Sequence, residues 1–231
     1  MRWLRINLEA PLSAFGGVRV DALGVTRDHP ALSAITGLIA NALGYDRIEA
    51  GRLSALQGRL LLASAHRAGD GSRLTDFQTA QISGSDKGWT RRGPEGREGN
   101  DATYRSPALA YRDYHADRST ICVIGLRGDG DPDLDRVAAA LDRPERPLFI
   151  GRKPCLPTAP LNGGFIEAED ALEALRSACS EGVWRVNLPA GHGEPDLARE
   201  VMIQDLRDWS VGFHAGERPV VEGIIGAEAA A

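Results

Sequence analysis

The sequence predicts an α+β fold of the ferredoxin-like type, followed by a smaller C-terminal part. Over residues 1–154 the apolar pattern follows the order strand, helix, strand, strand, helix, strand. A long polar excursion from Arg73 to Asp117 interrupts this order, and its middle has almost no aliphatic residues. The same order is the scaffold of RNA-recognition motifs, but the aromatic stacking motif typical of that class is absent. We therefore expect a packed body and a functional excursion.

The first strand and the first helix have clear patterns. Residues 2–8 (RWLRINL) alternate apolar and charged side chains, which favours a strand. In the helix that follows, Pro30 suits the first turn, Asp28 or Ser33 is the expected N-cap, and Gly44 is the expected C-cap. The apolar stripe of this helix consists of Leu32, Ile35, Leu38, Ile39 and Leu43.

The next elements lead into the excursion and out of it. A second short helix is predicted over 46–57, and a strand is predicted over 58–67. Strands over 73–81 and 111–127 form the two sides of the excursion. Because both sides are polar and aromatic, the excursion is expected to be held at its roots by strand pairing.

The remaining elements complete the body. A helix is predicted over 132–143, with acidic residues near its start and Arg143 at its end, as the helix dipole prefers. A short buried strand is predicted over 146–151. Residues 155–231 are expected to be a C-terminal extension containing a helix, a strand and a β-hairpin, over 167–179, 183–189 and 199–225.

Composition excludes several classes of protein. The chain has 42% hydrophobic and 26% charged residues, as soluble globular proteins do. No apolar run approaches the roughly 20 residues needed to span a bilayer, and the N-terminus lacks a signal-peptide pattern, so a cytoplasmic location is expected. Three scattered cysteines predict neither a disulfide framework nor a metal site, and no cofactor is expected. The net charge of −5 argues against indiscriminate binding to nucleic acid, although arginine and lysine gather at 87–118 and 143–153.

Several segments, in order, resemble one family. They are LEAPLSAFGG, SAITGLIANALG, LTDFQTAQ, YRDYHAD and RPLFIGRKPCLPTAPL, which together span most of residues 4–161. This set is similar to the CasD (Cas-five) family of the RAMP superfamily, whose members are subunits of type I-E CRISPR Cascade complexes. The resemblance implies an RRM-like RAMP domain over 1–154, with residues 77–112 forming a long β-hairpin called the thumb.

The resemblance also implies a function and a set of partners. Members of the family are non-catalytic subunits that hold the 5′ handle of the CRISPR RNA and cap the filament of backbone subunits. They contact the adjacent backbone subunit and the large subunit. They reach target DNA only through the guide, since base pairing reads the sequence. No membrane contact is implied.

The predicted RNA contacts combine positive charge with flat side chains. Single-stranded RNA needs cations for its phosphates and aromatic faces for its bases. In and beside the excursion these residues are Arg73, Gln78, Arg91, Arg92, Arg105, Tyr111, Arg112, Tyr114 and His115. Two further pairs are Arg152 with Lys153, after Gly151, which allows close backbone approach, and Arg27 with His29, before the first helix. Ordinary solvated charges, with Asp28 capping the helix, remain an alternative at the last pair.

Two other functions remain open from the residues. Related type I-C proteins cleave precursor RNA without metal, and Tyr111, Tyr114, His115 and Lys87 are the residues from which such a metal-independent endoribonuclease site would be built. The third hypothesis is that the protein is a host RNA-binding module of ferredoxin-like fold, unrelated to CRISPR.

Overall fold

In the part of the chain that the structure describes, the strands form one large sheet, one smaller sheet and two short ribbons. The computed structural model describes residues 1–17, 21–80, 88–90, 93–95 and 108–226. In chain order its elements are β1 (Arg2–Leu8), β2 (Leu12–Ser13), β3 (Leu23–Gly24), α1 (Leu32–Ala42), α2 (Ala50–Arg59), β4 (Leu60–Arg67), β5 (Ser72–Ala80), β6 (Gly88–Thr90), β7 (Gly93–Glu95), β8 (Ala108–Ala116), β9 (Thr120–Leu126), α3 (Leu134–Asp142), β10 (Asn162–Glu167), α4 (Ala171–Ala178), β11 (Trp184–Pro189), β12 (Asp196–Ile203), β13 (Arg207–Asp208), β14 (Phe213–His214) and β15 (Arg218–Ile225).

Seven strands form one antiparallel sheet in the order β10-β1-β9-β4-β11-β15-β12. Helices α1 and α2 connect β1 to β4 along the chain, and α3 connects β9 to β10. The strands β11, β15 and β12 extend the sheet beyond β4. The sheet therefore runs across residue 154, and the C-terminal residues complete one face of it.

Residues 146–151 do not form the predicted strand. The strand that pairs with the outer side of β1 is β10, further along the chain. Leu148 and Ile150 still enter the core, which is why the segment has a strand-like apolar pattern. Pro147 has no backbone N–H, and Gly151 has a φ of +89°, so the ends of the segment do not suit a strand ladder.

The long strand predicted over 111–127 is wrong in one respect, because it is two strands in two sheets. β8 ends at Ala116 and β9 begins at Thr120. Asp117, between them, has a φ of +52°. Asp tolerates this left-handed conformation better than most residues, and it redirects the chain from the smaller sheet into the large one.

Helices pack against both faces of the large sheet. On one face Trp184, Val186 and Leu188 pack against α4. On the other face side chains of β1, β4 and β9 pack against α1, α2 and α3. The alternation along β11 follows from the strand period of two, which places Arg185 and Asn187 on the face opposite α4. None of the described helices is long and apolar enough to cross a membrane.

The N-cap predicted for α1 is wrong. The helix begins at Leu32 after Ala31, and neither Asp28 nor Ser33 caps it through a side chain. Instead, the Leu32 N–H donates to Asp205 Oδ2 at 2.9 Å, and the Ser33 N–H donates to the Asp205 carbonyl at 3.2 Å. The partner lies 173 residues away from Leu32, so local sequence holds no sign of it.

The roots of the excursion pair as predicted. β5 and β8 form an antiparallel hairpin with continuous register from Ser72–Ala116 to Ala80–Ala108. β2 and β3 pair with the same strand β8, which attaches the hairpin to the body. Further along the excursion, β6 and β7 pair with each other.

The predicted C-terminal hairpin is also present, with a longer connection. β12 and β15 pair antiparallel. Residues 204–217 join them and include the small β13–β14 ribbon, instead of the three-residue AGE turn expected from the sequence. This connection carries Asp205, the residue that caps α1.

Candidate nucleic-acid interface

A short segment before α1, residues 26–31, links the hairpin root to the C-terminal strands; we call it the strap. On one side, the Arg73 guanidinium donates to the Thr26 carbonyl at 3.4 Å. On the other, the Arg27 guanidinium donates to the Gln204 carbonyl at 2.7 Å. Beneath it, His29 Nδ1 lies 2.9 Å from the Ser64 hydroxyl on β4. The strap is thus tied to three separate parts of the fold.

Buried Arg118 holds the centre of the strap. It is only 6% exposed, and it donates to the Asp28 carbonyl at 2.7 Å and to Asp28 Oδ1 at 3.4 Å. It also donates to His115 Nδ1 at 3.0 Å. The imidazole must therefore carry its proton on Nε2, which donates to the Arg27 carbonyl at 2.8 Å. Both ring nitrogens of His115 are used inside the protein, and burial lowers the pKa of His115.

Two further histidines, His29 in the strap and His66 on β4, are in their neutral form. The His29 and His66 rings are 5.0 Å apart. Burial, reinforced by the neighbouring imidazole and Arg118, lowers the pKa of His29 to about 3. Burial and the Arg118 charge lower the pKa of His66 to about 4. Both imidazoles are therefore uncharged at neutral pH.

These two pKa values predict that acid destabilises the protein. Between pH 6.5 and the folded pKa values, the unfolded chain binds protons that the folded chain does not, so this part of the stability is complete above pH 6.5 and is lost as pH falls. Each histidine is expected to lower the free energy of unfolding by about 1.4 kcal/mol per pH unit below pH 6. Urea unfolding at pH 7 and pH 5 measures the loss.

Matched variants assign the pH effect to these two residues. His29→Gln and His66→Gln should each reduce the dependence of the unfolding free energy on pH. An unchanged pH dependence in both buried variants would contradict the prediction.

The second group of predicted residues meets at the corner between the hairpin and the body. Arg152 donates to the carbonyls of Asp113 and Gly24, both at 3.0 Å, and its guanidinium lies 4.6 Å from the ring centre of Tyr114. Tyr114 itself is buried, with 4% of its surface exposed. Arg112 is half-buried on β8 beside Gly24, and Lys153 is exposed. The corner therefore presents three cations, and the buried Tyr114 ring packs against the guanidinium of one of them, Arg152.

The remaining predicted contacts lie along the hairpin. Phe77 and Tyr111 are cross-strand partners, 52% and 41% exposed, with ring centres 5.0 Å apart. Gln78 is exposed and donates to Asp76 at 2.8 Å. Aromatic faces that reach solvent can stack on bases. Three further predicted contacts, Arg91, Arg92 and Arg105, lie outside the described residues.

The structure thus sorts the predicted residues into three places. At the strap lie Arg27, His29, Arg73 and His115. At the corner lie Arg112, Tyr114, Arg152 and Lys153. On the hairpin lie Gln78 and Tyr111. Tyr114 and His115 are buried and have little surface for a ligand. Within the described parts of the chain, no group of three or more His, Cys, Asp or Glu side chains could hold a metal ion.

Sequence reasoning missed three residues of this region. Arg118 falls inside the single strand predicted over 111–127, and its position between two strands becomes visible only in the structure. Arg185 had one local sign, the polar position in the alternating segment VWRVNLP. Asp205 had none, because its role depends on a contact with α1.

Comparisons with known proteins agree with this architecture. A family model described as "CRISPR-associated protein (Cas_Cas5)" matches residues 3–221. A solved structure described as "CRISPR RNA-guided surveillance complex" contains a chain with 19% identity and a TM-score of 0.65, over 96% of this chain and 88% of that one. Another, described as "Crystal structure of Cas protein", has 25% identity and a TM-score of 0.62, over 96% and 94%. No curated protein matches. Because the family model covers nearly the whole chain, the protein belongs to this CRISPR-associated family.

Proposed function

We propose that the protein is a non-catalytic subunit of a type I-E CRISPR surveillance complex that binds the 5′ handle of the CRISPR RNA. The observation that carries this proposal is the family match over residues 3–221. The complex named for one similar structure is an RNA-guided one, and that likeness supports a shared fold. In this role the subunit caps the filament, contacts the backbone and large subunits, and reaches target DNA through the guide.

The proposed body is a ferredoxin-like RAMP domain made of β1, β4, β9 and β10 with α1 and α3. Its support is the antiparallel strand order β10-β1-β9-β4. If these four strands are numbered along the chain, the order is 4-1-3-2, which is that of a ferredoxin-like βαββαβ fold. The proposed thumb is the excursion over 77–112. Its support is the β5–β8 pairing, which makes a hairpin that leaves the body at a fixed point.

RNA is proposed to lie across the hairpin, the corner and the strap. Arg73, Arg112, Arg152 and Lys153 supply cations for phosphates, and Tyr111 supplies a face for a base. Arg73 is 52% exposed in its side chain, and its ion pair with Asp28 is long, at 3.9 Å. A guanidinium held this loosely can exchange its partner for a phosphate at little cost.

The absence of catalysis is part of the proposal. General acid–base cleavage of RNA needs a histidine or lysine that can exchange a proton with the substrate. Both nitrogens of His115 are bonded to protein groups, and Tyr114 is buried. Lys87 lies outside the described residues.

Incubating the pure protein with CRISPR repeat RNA in EDTA tests the choice between binding and cleavage. We expect the RNA to be retained intact. Specific cleavage at the base of the repeat, lost in His115→Ala, would establish the metal-independent endoribonuclease instead. Sequencing of copurifying RNA provides the second criterion, since guides bearing the 5′ handle would exclude a host RNA-binding module.

Replacing the three thumb arginines, Arg91, Arg92 and Arg105, by Ala should weaken RNA binding without destabilising the fold. For single-stranded RNA, each lost phosphate contact lowers the dependence of log affinity on log salt by about 0.7, so three contacts lower it by about 2. Affinity across a salt series measures this.

The control is a triple variant with the same change of charge on exposed arginines of the body, Arg47, Arg143 and Arg176. It should keep the RNA affinity of the unmodified protein. A fall in melting temperature with unchanged RNA retention in the thumb variant would mean that the excursion is structural.

A further inference from the structure

The large sheet opens at one end, between β4 and β11. The ladder that joins these two strands ends at the pair Ser64–Asn187. On its other side β4 pairs with β9 from its first residue, Leu60, onwards. Residues 60–63 therefore have a paired strand on one side only, within the described part of the sheet. Pro189, the last residue of β11, has no N–H with which to extend the ladder.

A hollow of about 260 Å³ occupies this opening. Its walls come from α1, β4, the end of β11 and the connection between β12 and β15. The apolar side chains that form them include Leu32, Leu61, Leu62, Pro189, Leu206 and Pro219. Pockets for drug-sized molecules measure about 300–1,000 Å³, so this hollow suits the last one or two residues of a polypeptide better than a larger ligand.

The charged side chains that line the hollow are both cations. Arg218 is bound by buried Asp205 at 2.8 Å. Arg127 is exposed, and its guanidinium has no hydrogen bond or ion pair within the described part of the chain. Arg59 donates to the carbonyls of Arg127 at 3.1 Å and of Gly128 at 3.2 Å, and so holds the backbone that carries Arg127. Because no acid is among the described lining residues, the hollow is complementary to an anion.

These three features match the end of an extended peptide. An apolar last side chain would be removed from water by the leucine walls. The main-chain groups of the peptide can pair with the open side of β4, as in β-strand addition. The terminal carboxylate, ionised at neutral pH, can accept two hydrogen bonds from the planar guanidinium of Arg127. A free aliphatic acid would use the walls and the arginine but not the strand.

We propose that this hollow is a docking site for the carboxyl-terminal residues of a partner polypeptide whose last residue is apolar. Arg127 binds the carboxylate, and residues 60–63 pair with the main chain of the peptide. The proposal goes beyond RNA binding and does not depend on it, because none of the described lining residues belongs to the hairpin, the corner or the strap.

Fluorescence anisotropy of labelled tetrapeptides mixed with the full-length protein tests the proposal. The peptides end in valine, leucine, isoleucine or phenylalanine, and each is made with a free carboxyl terminus and as the amide. We expect saturable binding of the free acids, about tenfold tighter than that of the amides, because the amide lacks the charge-assisted hydrogen bonds. Arg127→Gln should abolish this preference. Arg143→Gln, exposed at the end of α3, is the matched control and should retain it.

A second pair of variants leaves Arg127 in place. Gly58 lines the hollow, and a Cβ added to it meets nothing within 4 Å. Both Gly58→Glu and Gly58→Gln should fold, since either residue favours a helix more than glycine does. Gly58→Glu adds a negative charge beside the hollow, so it should weaken binding of the free-acid peptides more than the isosteric Gly58→Gln does.

Three outcomes would overturn the proposal. The first is that none of the peptides binds, or that the acid and amide forms bind equally. The second is tighter binding of N-acetylleucine than of the peptides, which would assign the hollow to a small carboxylic acid. The third is an unchanged preference in Arg127→Gln together with a loss of RNA affinity, which would assign Arg127 to RNA. Failure of the unmodified protein to bind RNA would count against the proposed function alone.

Discussion

Replacing Asp205 by Ala is expected to lower the free energy of unfolding by about 3–5 kcal/mol, the usual loss when one partner of a buried ion pair is removed. The Asp205 carboxylate is fully buried, and it accepts hydrogen bonds from Arg218 Nε and Nη2, the shortest at 2.8 Å. It also accepts from the Leu32 N–H at 2.9 Å. The variant would leave both the guanidinium and the first turn of α1 without their acceptor.

Two variants separate these contributions. Asp205→Asn keeps an oxygen for the Leu32 N–H but removes the charge, so it should lose less stability than Asp205→Ala. Asp46→Ala breaks an ion pair of similar length, 2.7 Å to Arg146, but an exposed one, and should lose about 1 kcal/mol or less. Urea unfolding at pH 7 measures all three. Equal losses in Asp205→Ala and Asp46→Ala would contradict the role assigned to Asp205.

The elements that sequence patterns predicted best are those with a long, regular period. The stripe of α1 is an example, since Leu32, Ile35, Leu38 and Ile39 are all buried. The segment 146–151 failed because a short apolar run fits a buried strand and a buried irregular segment equally well. Only the pairing of β10 with β1 decides between them, and that pairing depends on the whole chain.

The same division applies to the candidate interface. The local enrichment in arginine and aromatic residues made the hairpin and the corner candidates for RNA contact. It could not show that both ring nitrogens of His115 are hydrogen-bonded to Arg27 and Arg118, because the Arg27 contact joins residues 88 positions apart. The same applies to Asp205, whose acceptor role exists only once β12 and β15 have joined the sheet.

At Gly151 the structure shows a contact that the sequence does not predict. The sequence predicts that the glycine allows close backbone approach beside two cations that could reach RNA phosphates. In the structure the close neighbour is the protein itself. A Cβ at Gly151 would lie 1.6 Å from the Ala14 carbonyl oxygen, and the residue has a φ of +89°. The Ala14 N–H also donates to the Ile150 carbonyl at 3.2 Å, so the two segments cannot separate freely.

Gly151→Ala is therefore expected to lower the free energy of unfolding by about 2–4 kcal/mol, through left-handed backbone strain and a clash with main-chain atoms. Gly69→Ala is the matched control, because Gly69 has a similar φ of +85° but nothing within 4 Å of an added Cβ. It should lose about 1 kcal/mol, the contribution of the backbone conformation alone. Urea unfolding of the two variants isolates the clash as the difference between them.

The same substitution connects this packing to RNA binding. Arg152 follows Gly151 directly, and its guanidinium donates to the carbonyls of Asp113 and Gly24. These hydrogen bonds depend on the direction in which the backbone leaves the core at Gly151. A shift of the 151–153 segment should therefore weaken RNA binding by Gly151→Ala under conditions where the variant is still folded, while Gly69→Ala binds normally. Equal stability losses in the two variants would mean that Ala14 moves aside, and the corner would then not depend on a glycine at position 151.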